Sequence, residues 1–333
     1  MTLLEVTDVT KGFEVRTRRF TRAKGTLTAV KSVSLQIEAG ETLGLVGESG
    51  CGKSTLGRMV VRLLEPTSGE VRLSGVLYDS DDPVLRRSVQ IIFQDPYTSL
   101  PPKMTVGRIL AEPLLIHRIV PEGQIESRVR QLLSDVGLKP EHANSYGSEL
   151  SGGQRQRVSI ARALAVEPEL IVADEAVSAL DVSVQAQILN LMRDLQEQRG
   201  IAYLFISHDL GVVRYMSHRI AVMYLGEIVE LGTADDVSEN SLHPYTNALL
   251  SAVPSIHGHV SGSRVESEPP DPANPPSGCS FHPRCSWAQD VCAVDSPQLI
   301  EWRPGQRAAC HFALEVFESS RERRHDQATR GEN

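Results

Sequence analysis

The stretch GESGCGKST holds the residues of this chain that are best suited to phosphate chemistry. It fits the pattern G-x-x-x-x-G-K-[ST], in which the glycines let consecutive backbone N–H groups turn inward around phosphate oxygens. The ammonium of Lys53 is placed to reach the β- and γ-phosphates, and the hydroxyl of Ser54 is a suitable Mg²⁺ ligand. The candidate phosphate-binding residues are therefore Gly47, Glu48, Ser49, Gly50, Cys51, Gly52, Lys53, Ser54 and Thr55.

Two acids follow an apolar run further along the chain, in LIVADE. Asp174 closes the run and is placed to hold Mg²⁺ directly or through water, and Glu175 is placed to polarise an attacking water. Together with the phosphate-binding loop, these acids predict hydrolysis of a nucleoside triphosphate.

A third motif, LSGGQ, offers a second anion-binding site at the start of a helix. We expect Ser151 to cap that helix, with Gly152 and Gly153 exposing backbone N–H groups and Gln154 in its first turn. A single γ-phosphate does not need two such sites from one subunit, whereas two copies facing head to tail use both. The sequence permits that dimer without proving it.

Hydrophobic periodicity places these motifs on alternating strands and helices. ETLGLVG predicts a short strand before the phosphate-binding loop, and Leu56, Met59 and Val60 predict a helix after it. LIVAD and AYLFIS predict two buried strands joined by a helix that Gly200 closes, which favours parallel pairing with a crossover. SVSLQIEAG predicts a strand with one buried face, and RIAVMYLGEIVELG predicts a hairpin turning near Gly226.

The motifs, in this order, resemble those of ATP-binding-cassette (ABC) ATPase subunits. The resemblance covers roughly Leu3 to Pro254. It implies an α/β P-loop NTPase fold, with a RecA-like core, an antiparallel β subdomain and an α-helical subdomain at about 96–160. It also implies that the nucleotide is ATP and that Mg²⁺ is bound through Ser54, Gln94 and Asp174.

The same resemblance assigns roles to residues that no spacing argument singles out. It implies that Phe13 stacks on adenine, and that Gln94 in IIFQDP contacts Mg²⁺ and the attacking water. It implies that His208 in ISHD contacts the γ-phosphate and supports Glu175, so that Glu175, His208 and Lys53 form the catalytic set. SALD, which ends at Asp181, resembles the loop that crosses the interface between two cassettes.

The chain departs from the common family pattern in two places. Ala176 and Val177 follow Glu175 where the family commonly has Pro-Thr, and SLPP replaces SLNP after Gln94. Neither change removes a phosphate ligand, but the first alters the chain directly beside the expected catalytic acid.

Composition divides the chain beyond the cassette. We predict an ABC ATPase domain at 1–254, a Pro- and Ser-rich linker at 255–278, a cysteine-containing extension at 279–315 and a disordered tail at 316–333. The linker is predicted from HGHVSGSRVESEPPDPANPPSG, and the tail from the charged stretch ESSRERRHDQATRGEN.

Four of the five cysteines lie in the extension, namely Cys279, Cys285, Cys292 and Cys310. Four thiolates suit either tetrahedral Zn²⁺ or a [4Fe–4S] cluster. The spacing x₅, x₆, x₁₇ fits neither the C-x₂-C zinc knuckle nor the bacterial ferredoxin run. The pattern therefore does not choose between iron–sulfur, zinc and no metal.

Several segments resemble one branch of the family, the peptide and nickel importers: FQDPYTSL, VGRILAEPL, HPYTNALLSAVP and the cysteine segment itself. In that branch the extension can carry a [4Fe–4S] cluster, so the resemblance favours iron–sulfur. It implies a second, non-identical ATPase subunit, two transmembrane permease subunits and, indirectly, a solute-binding protein. The transported solute is expected to be an oligopeptide or dipeptide, with nickel, glutathione or an oligosaccharide as the alternatives.

Charge and hydropathy bear on where the chain works and what it binds. The formal net charge of −8 in 333 residues argues against a nucleic-acid binder, and hence against a non-transport ABC protein that acts on nucleic acid. No run approaches the roughly 18–20 apolar residues that span a bilayer, and the N-terminus does not resemble a signal peptide. We therefore expect a peripheral protein, held on the cytoplasmic face of the inner membrane by the permease subunits.

Overall fold

A computed structural model describes five stretches of the chain. They are residues 1–16, 24–78, 82–95, 100–251 and 270–330. The expected linker therefore lies mostly outside the described residues, as does the PYTS segment at 96–99.

The N-terminal strands form a four-stranded antiparallel sheet in the order β2-β1-β4-β5. Alternation in β2 buries Val33, Leu35 and Ile37 against the core, as the sequence predicts. The strands are β1 (Thr2–Arg16), β2 (Lys24–Glu38), β4 (Ser68–Leu73) and β5 (Val76–Leu77).

A second, eight-stranded sheet forms the centre of the molecule, in the order β11-β12-β10-β9-β3-β8-β7-β6. Neighbouring strands from β9 to β6 run parallel. At the other side of the sheet, β10 pairs antiparallel with β9, β12 with β10, and β11 with β12. The strands are β3 (Thr42–Val46), β6 (Val89–Ile92), β7 (Leu170–Asp174), β8 (Ala202–Ser207), β9 (Arg219–Tyr224), β10 (Glu227–Thr233), β11 (Ile300–Arg303) and β12 (Gln306–Ala308). Every residue of β3, β7 and β8 is buried, which accounts for the mainly apolar composition of these strands.

Five of the described helices that precede residue 240 lie along the two sheets. The crossover from β7 to β8 is the predicted helix, here α6, and Gly200 ends it at a φ of +67° that favours glycine. These helices are α1 (Lys53–Val60), α2 (Pro83–Ser88), α6 (Val182–Arg199), α7 (Leu210–Met216) and α8 (Ala234–Glu239).

Three further helices pack together between β6 and β7. They are α3 (Val106–Ile116), α4 (Ile125–Asp135) and α5 (Gly152–Leu164). Val129, Leu132 and Leu133 form the buried face of α4, as its helical spacing predicts. Their apolar cluster is continuous with one face of the central sheet, so this helical region and the sheet share a core.

The cysteine-containing extension continues the central sheet. Its strand β12 pairs with β10, and β11 pairs with β12 at the edge. The last helices are α9 (Pro244–Ser251), α10 (Asp290–Val294) and α11 (Ala313–Arg330). The sequence predicts disorder from residue 316, whereas the chain is helical there as far as Arg330 because Val316 is buried at the start of that helix.

Across the described residues, none of the helices combines the length and apolar character that crossing a membrane requires.

Candidate functional site

The phosphate-binding loop joins β3 to α1, as the sequence predicts. Two of its glycines approach neighbouring backbone so closely that no side chain fits. A Cβ on Gly47 would lie 2.1 Å from the Met223 carbonyl oxygen, and a Cβ on Gly52 would lie 2.2 Å from that of Ala29. The glycines therefore fix both the shape of the loop and its seat against the core.

Lys53 and Ser54 begin α1 and face the loop and the sheet. The buried Lys53 ammonium donates hydrogen bonds to the carbonyl oxygens of Gly47, at 2.7 Å, and Glu48, at 2.9 Å. The Ser54 hydroxyl donates to Asp174 Oδ1 at 2.8 Å. Burial raises the pKa of Asp174, and the Ser54 hydrogen bond opposes that rise. A hydroxyl and a carboxylate oxygen in contact suit Mg²⁺, which prefers oxygen ligands.

The other positions of the predicted phosphate-binding loop differ in exposure. Ser49 and Gly50 are exposed, and Thr55 is half-buried. Cys51 is buried, and burial raises the pKa of its thiol, with its sulfur 3.8 Å from Lys53 Nζ. A protonated, buried thiol is a poor nucleophile, so Cys51 contributes to the shape of the loop.

Glu175 is the centre of a second group of side chains. Gln94 Nε2 donates to Glu175 Oε2 at 2.7 Å, and His208 Nδ1 lies 3.3 Å from Oε1. These three residues follow the carboxyl ends of β6, β7 and β8, which meet at one edge of the parallel sheet. The structure thus brings together three residues that are far apart in the sequence.

The backbone at Glu175 has an unusual conformation. Its φ is +49°, in the left-handed region that costs energy for a residue with a side chain. Ala176 and Val177, the departure from the family pattern, are each only 2% exposed and pack into the core directly behind it. The turn is held by the burial of these two apolar residues and by the hydrogen bond that the Glu175 N–H donates to the Ile206 carbonyl at 2.9 Å.

The LSGGQ segment starts α5, as the sequence predicts. The Ser151 hydroxyl accepts a hydrogen bond from the backbone N–H of Gln154 at 3.3 Å, and Gln154 Oε1 accepts from the Ser151 N–H at 2.9 Å. This reciprocal pair is a capping box. Position 153 needs glycine, since a Cβ there would lie 2.5 Å from Val184 Cγ1, whereas a Cβ on Gly152 would make an ordinary contact of 3.5 Å with a methyl of Leu180.

The remaining predicted nucleotide-contacting residues lie on other elements. Phe13 is on β1 with 37% of its surface exposed, and Lys11 Nζ lies 5.6 Å above its ring centre. Asp181 caps α6, where its carbonyl accepts from Gln185 N–H at 2.8 Å.

The four cysteines of the extension line a single small cavity, here called the thiol cavity. Its other lining residues are His243, Pro244, Phe281, His282, Trp287, His311 and Phe312. All five cysteines of the chain are among the described residues and are free. The structure therefore brings together four thiols that are spread over more than thirty positions, as the sequence analysis supposes for a metal site.

The surroundings of these thiols suit sulfur ligands. Backbone N–H groups donate to Cys285 Sγ at 3.3 Å and to Cys310 Sγ at 3.4 Å. Burial raises the pKa of Cys285 to about 11 and that of Cys310 to about 12, and it also raises the pKa of Cys279. These raised pKa values keep those thiols protonated, and four thiolates in this space would need a bound cation to offset their charge.

The geometry as it stands does not form a metal centre. Among the described residues, no three or more His, Cys, Asp or Glu side chains are arranged to hold a metal ion. His282 Nδ1 lies 2.9 Å from the Cys279 carbonyl oxygen, and His311 Nε2 lies 3.1 Å from that of Asp295. Both histidines thus contact backbone, as we expect of loop residues.

Sequence reasoning missed two contacts of the phosphate-binding loop, one with the extension and one with α9. The guanidinium of Arg284 binds both carboxylate oxygens of Glu48, at 2.9 and 3.0 Å. The Tyr245 hydroxyl accepts from the Glu48 N–H at 2.8 Å. The only sequence signal is an arginine beside a cysteine in HPRC, and nothing in that pattern names its partner.

It also missed the buried carboxylate of Glu230. Its oxygens accept from Leu242 N–H at 2.7 Å, His243 N–H at 3.0 Å and Gln306 Nε2 at 3.1 Å. Burial raises its pKa to about 7. Because these partners precede α9 and begin β12, Glu230 connects β10 to both segments that hold the extension.

Two family models match the chain. One, described as ABC transporter, matches residues 30–178, and the other, described as Oligopeptide/dipeptide transporter, C-terminal region, matches residues 229–292. The second match runs from β10 through α9 to the third cysteine of the thiol cavity.

Curated relatives match nearly the whole chain. A probable peptide ABC transporter ATP-binding protein of Sinorhizobium fredii is 50% identical over 93% of this chain and 89% of its own length. The oligopeptide transport ATP-binding protein AppF of Bacillus subtilis is 49% identical, over 93% of this chain and 97% of its own. The di/tripeptide transport ATP-binding protein DppF of Pseudomonas aeruginosa is 47% identical, over 94% and 98%.

Solved structures share the fold. The dimeric ATP-binding cassette MJ0796, bound to ADP and Pi in a post-hydrolysis state, superposes with a TM-score of 0.62 at 31% identity. It covers 70% of this chain and 99% of its own. CbiO1 of Clostridium perfringens, part of an ABC transporter complex, gives a TM-score of 0.61 at 27% identity, with 71% and 90% covered.

Proposed function

The chain belongs to the ATP-binding subunits of ABC transporters, in the oligopeptide and dipeptide branch, and on that premise we propose that it hydrolyses ATP to drive peptide import. The cassette fold predicted from the sequence is confirmed by its likeness to solved cassettes. Relatives named for peptide, oligopeptide and di/tripeptide transport support the choice of solute over nickel, glutathione or oligosaccharide.

The observation that carries this proposal is the convergence on Glu175. Gln94 and His208 each contact one of its carboxylate oxygens. In the hydrolytic step Glu175 accepts a hydrogen bond from the attacking water and orients it, and His208 holds that carboxylate in place. The Lys53 ammonium and the loop N–H groups stabilise charge that develops on the phosphate oxygens.

Mg²⁺ would be held by Ser54, Asp174 and Gln94. The first two already contact each other, and Gln94 reaches the adjacent acid. When bound, the ion supplies charge neutralisation at the β- and γ-phosphates. Ser54 and Asp174 fix its place at the loop because both are anchored to core elements, the first turn of α1 and the end of β7.

A second cassette completes the site. The capped LSGGQ terminus is a separate anion-binding helix end, and Phe13 and Asp181 lie exposed on other elements. We expect a head-to-tail pair in which each ATP lies between the phosphate-binding loop of one cassette and the LSGGQ of the other. The dimeric form described for MJ0796 supports this arrangement. The partner cassette is a non-identical paralogue or a second copy of this chain.

Two transmembrane permease subunits are the expected membrane partners, with a solute-binding protein delivering the peptide. They would hold the chain at the cytoplasmic face of the inner membrane. A groove beside the Gln94 segment offers them a docking surface, because it lies between the end of β6 and helices α3 and α5. Closure of the cassettes would then move this groove and the permease with it.

The thiol cavity is the proposed site of a second cofactor, a [4Fe–4S] cluster bound by Cys279, Cys285, Cys292 and Cys310. Four thiols around one cavity, two of them buried and two half-buried, with N–H donors to two sulfurs, support it. Protein purified without oxygen should contain about four iron atoms per chain and absorb broadly near ~400 nm. Colourless protein with one zinc per chain would mean that the cysteines bind zinc and not a cluster. Metal-free protein would contradict both kinds of site.

Reconstitution tests the transport function. The chain is co-expressed with the permease, partner ATPase and binding-protein genes next to its own, and the complex is placed in vesicles. We expect ATP hydrolysis that a bound peptide stimulates, and uptake of labelled peptide that needs ATP. Uptake of Ni²⁺, glutathione or oligosaccharide in place of peptide would contradict the assignment of peptide as the solute. Co-purification with ribosomes or DNA alone would overturn the proposal.

A further inference from the structure

The contact between Arg284 and Glu48 joins the thiol segment to the phosphate-binding loop. The two guanidinium nitrogens face the two carboxylate oxygens at 2.9 and 3.0 Å, a forked arrangement that is stronger and more directional than a single bond. The Arg284 side chain is only 5% exposed and that of Glu48 27% exposed. Solvent therefore screens this pair far less than a surface ion pair.

Glu48 is held at three different points. Its carboxylate binds Arg284, its N–H donates to the Tyr245 hydroxyl at 2.8 Å, and its carbonyl accepts from Lys53 at 2.9 Å. Glu48 is the second residue of the loop whose N–H groups face phosphate. The orientation of its peptide units therefore helps to set the orientation of the loop that follows.

An aromatic cluster supports the same contact. The rings of Tyr224, Tyr245 and Phe281 lie 4.6 to 5.4 Å apart. The Arg284 guanidinium lies 5.9 Å from the Tyr224 ring centre, and its Nη1 donates to the Tyr224 hydroxyl at 3.3 Å. Tyr224 thus gives Arg284 a further contact that helps to orient its guanidinium toward Glu48.

Arg284 lies beside the thiol cavity in the chain, directly before Cys285, which lines that cavity. The short 3₁₀ turn His282–Arg284 lies between Cys279 and Cys285, and both cysteines line the cavity. Phe281, which begins this turn, is 2% exposed and lines the cavity too. A change in how Cys285 is held therefore moves the residue directly before it, which is Arg284.

We propose that Arg284 is a positioning residue for ATP binding: through the Glu48 carboxylate it holds the phosphate-binding loop, and it thereby links ATP affinity to the state of the thiol cavity. This inference rests on the proposed ATP function of the loop. The competing explanation is that the ion pair only anchors the extension to the cassette.

The test compares two arginines that both tie the extension to the cassette. Arg303 on β11 pairs with Asp236 of α8 at 3.7 Å, away from the loop, so Arg303→Gln is the matched control for Arg284→Gln. Affinity for a non-hydrolysable ATP analogue with Mg²⁺ is measured on the full chain. We expect Arg284→Gln to weaken it by about tenfold and Arg303→Gln to leave it within about twofold.

Further variants separate positioning from folding. Arg284→Lys keeps the charge but loses the fork, so its affinity should fall between wild type and Arg284→Gln. Glu48→Gln should lower the nucleotide affinity as much as Arg284→Gln does. The double variant should bind the nucleotide no more weakly than either single variant, because both substitutions break the same contact. In steady-state ATP hydrolysis, these variants should raise KM and change kcat little.

Cys285→Ser tests the link to the cavity. We expect weaker nucleotide affinity in this variant, and no further weakening when Arg284→Gln is added. Wild-type affinity in Arg284→Gln, or an equal loss in Arg303→Gln, would overturn the positioning role. Unchanged affinity in Cys285→Ser would overturn the link to the thiol cavity. Failure of the wild-type chain to bind the nucleotide would instead overturn the proposed function.

Discussion

The ATP site and the thiol cavity lie against the same central sheet but are held in different ways. Gln94, Glu175 and His208 follow the ends of three adjacent parallel strands, so ladder hydrogen bonds fix their spacing. The cysteines lie in loops and in one five-residue helix, and among the described residues their segment joins the sheet ladder through β12. Side-chain contacts, chiefly those of Glu230 and Arg284, hold the rest.

This difference predicts how each region responds to substitution. A change of a functional group at the strand ends should remove chemistry and leave the fold. A change of a holding residue in the extension should loosen the fold locally and alter the chemistry only through the contacts that reach the ATP site.

The largest effect is expected at the strand ends, for Glu175→Gln. The amide cannot accept the proton of the attacking water, so ATP turnover should fall by roughly 10²–10⁴-fold while nucleotide binding remains. Phosphate release and nucleotide affinity measure the two quantities. Glu167→Gln, at an exposed acid that pairs with Arg128, is the control and should keep full turnover. Near-normal turnover in Glu175→Gln would rule out its catalytic role.

The next effect concerns the extension, in Glu230→Ala. Removing this buried carboxylate leaves the N–H groups of Leu242 and His243 without their side-chain acceptor, and the Gln306 amide keeps only its bond to the Asn240 carbonyl. We expect the free energy of unfolding to fall by about 3 kcal/mol, with hydrogen exchange rising first in β12. Glu301→Ala, at an exposed position of β11, is the control. Equal exchange across the whole chain would argue against a separately held extension.

The third prediction concerns pH and the same carboxyl group. Burial raises the pKa of Glu230 from 4.5 in the unfolded chain to about 7 in the folded one. Between these values the folded chain binds more protons, so the stability contributed by this group is present below pH 4.5 and falls as pH rises to 7. Urea unfolding of wild type and Glu230→Gln from pH 4.5 to 8 measures the difference.

The wild-type stability should decrease relative to Glu230→Gln by at most about 1.4 kcal/mol per pH unit over that window, and the difference should level off above it. Other titrating groups cancel in this comparison because both proteins carry them. A difference that stays constant with pH would mean that Glu230 is ionised throughout.

The smallest effect is expected for Arg303→Gln, which removes a half-exposed ion pair between β11 and α8. Such pairs contribute about 0.5 kcal/mol to stability, so the free energy of unfolding measured in urea should fall by no more than that. A loss as large as that of Glu230→Ala would show that the extension depends on its charged contacts in general, and the contrast between the two holding residues would disappear.

Much of the ATP site was predictable because each motif acts locally. The glycines of the phosphate-binding loop, the cap at Ser151 and the apolar strand before Asp174 are all written in a few consecutive residues. Their convergence followed from a general property of parallel sheets, whose strand ends meet at one edge. The strained φ of Glu175 had no such signal, since it depends on how Ala176 and Val177 pack.

The extension was less predictable. The sequence showed four thiols but did not decide whether they bind a common metal. It predicted a disordered tail because the stretch ESSRERRHDQATRGEN is highly charged. The chain is instead helical from Ala313 to Arg330, with Val316 buried and the Arg303 guanidinium of β11 lying 4.4 Å from the Phe317 ring centre, and no local pattern reports such a distant contact.

By itself, the sequence of this protein determined the fold class, the phosphate chemistry and the residue types of both sites. These follow from periodicity and from motifs in which chemistry and backbone shape occupy the same few residues. Only the tertiary structure decided that the four thiols share a cavity, that the extension continues the central sheet, and that Arg284 reaches Glu48 across 236 positions. Such contacts depend on which surfaces meet after folding, and a side chain carries no local mark of its distant partner.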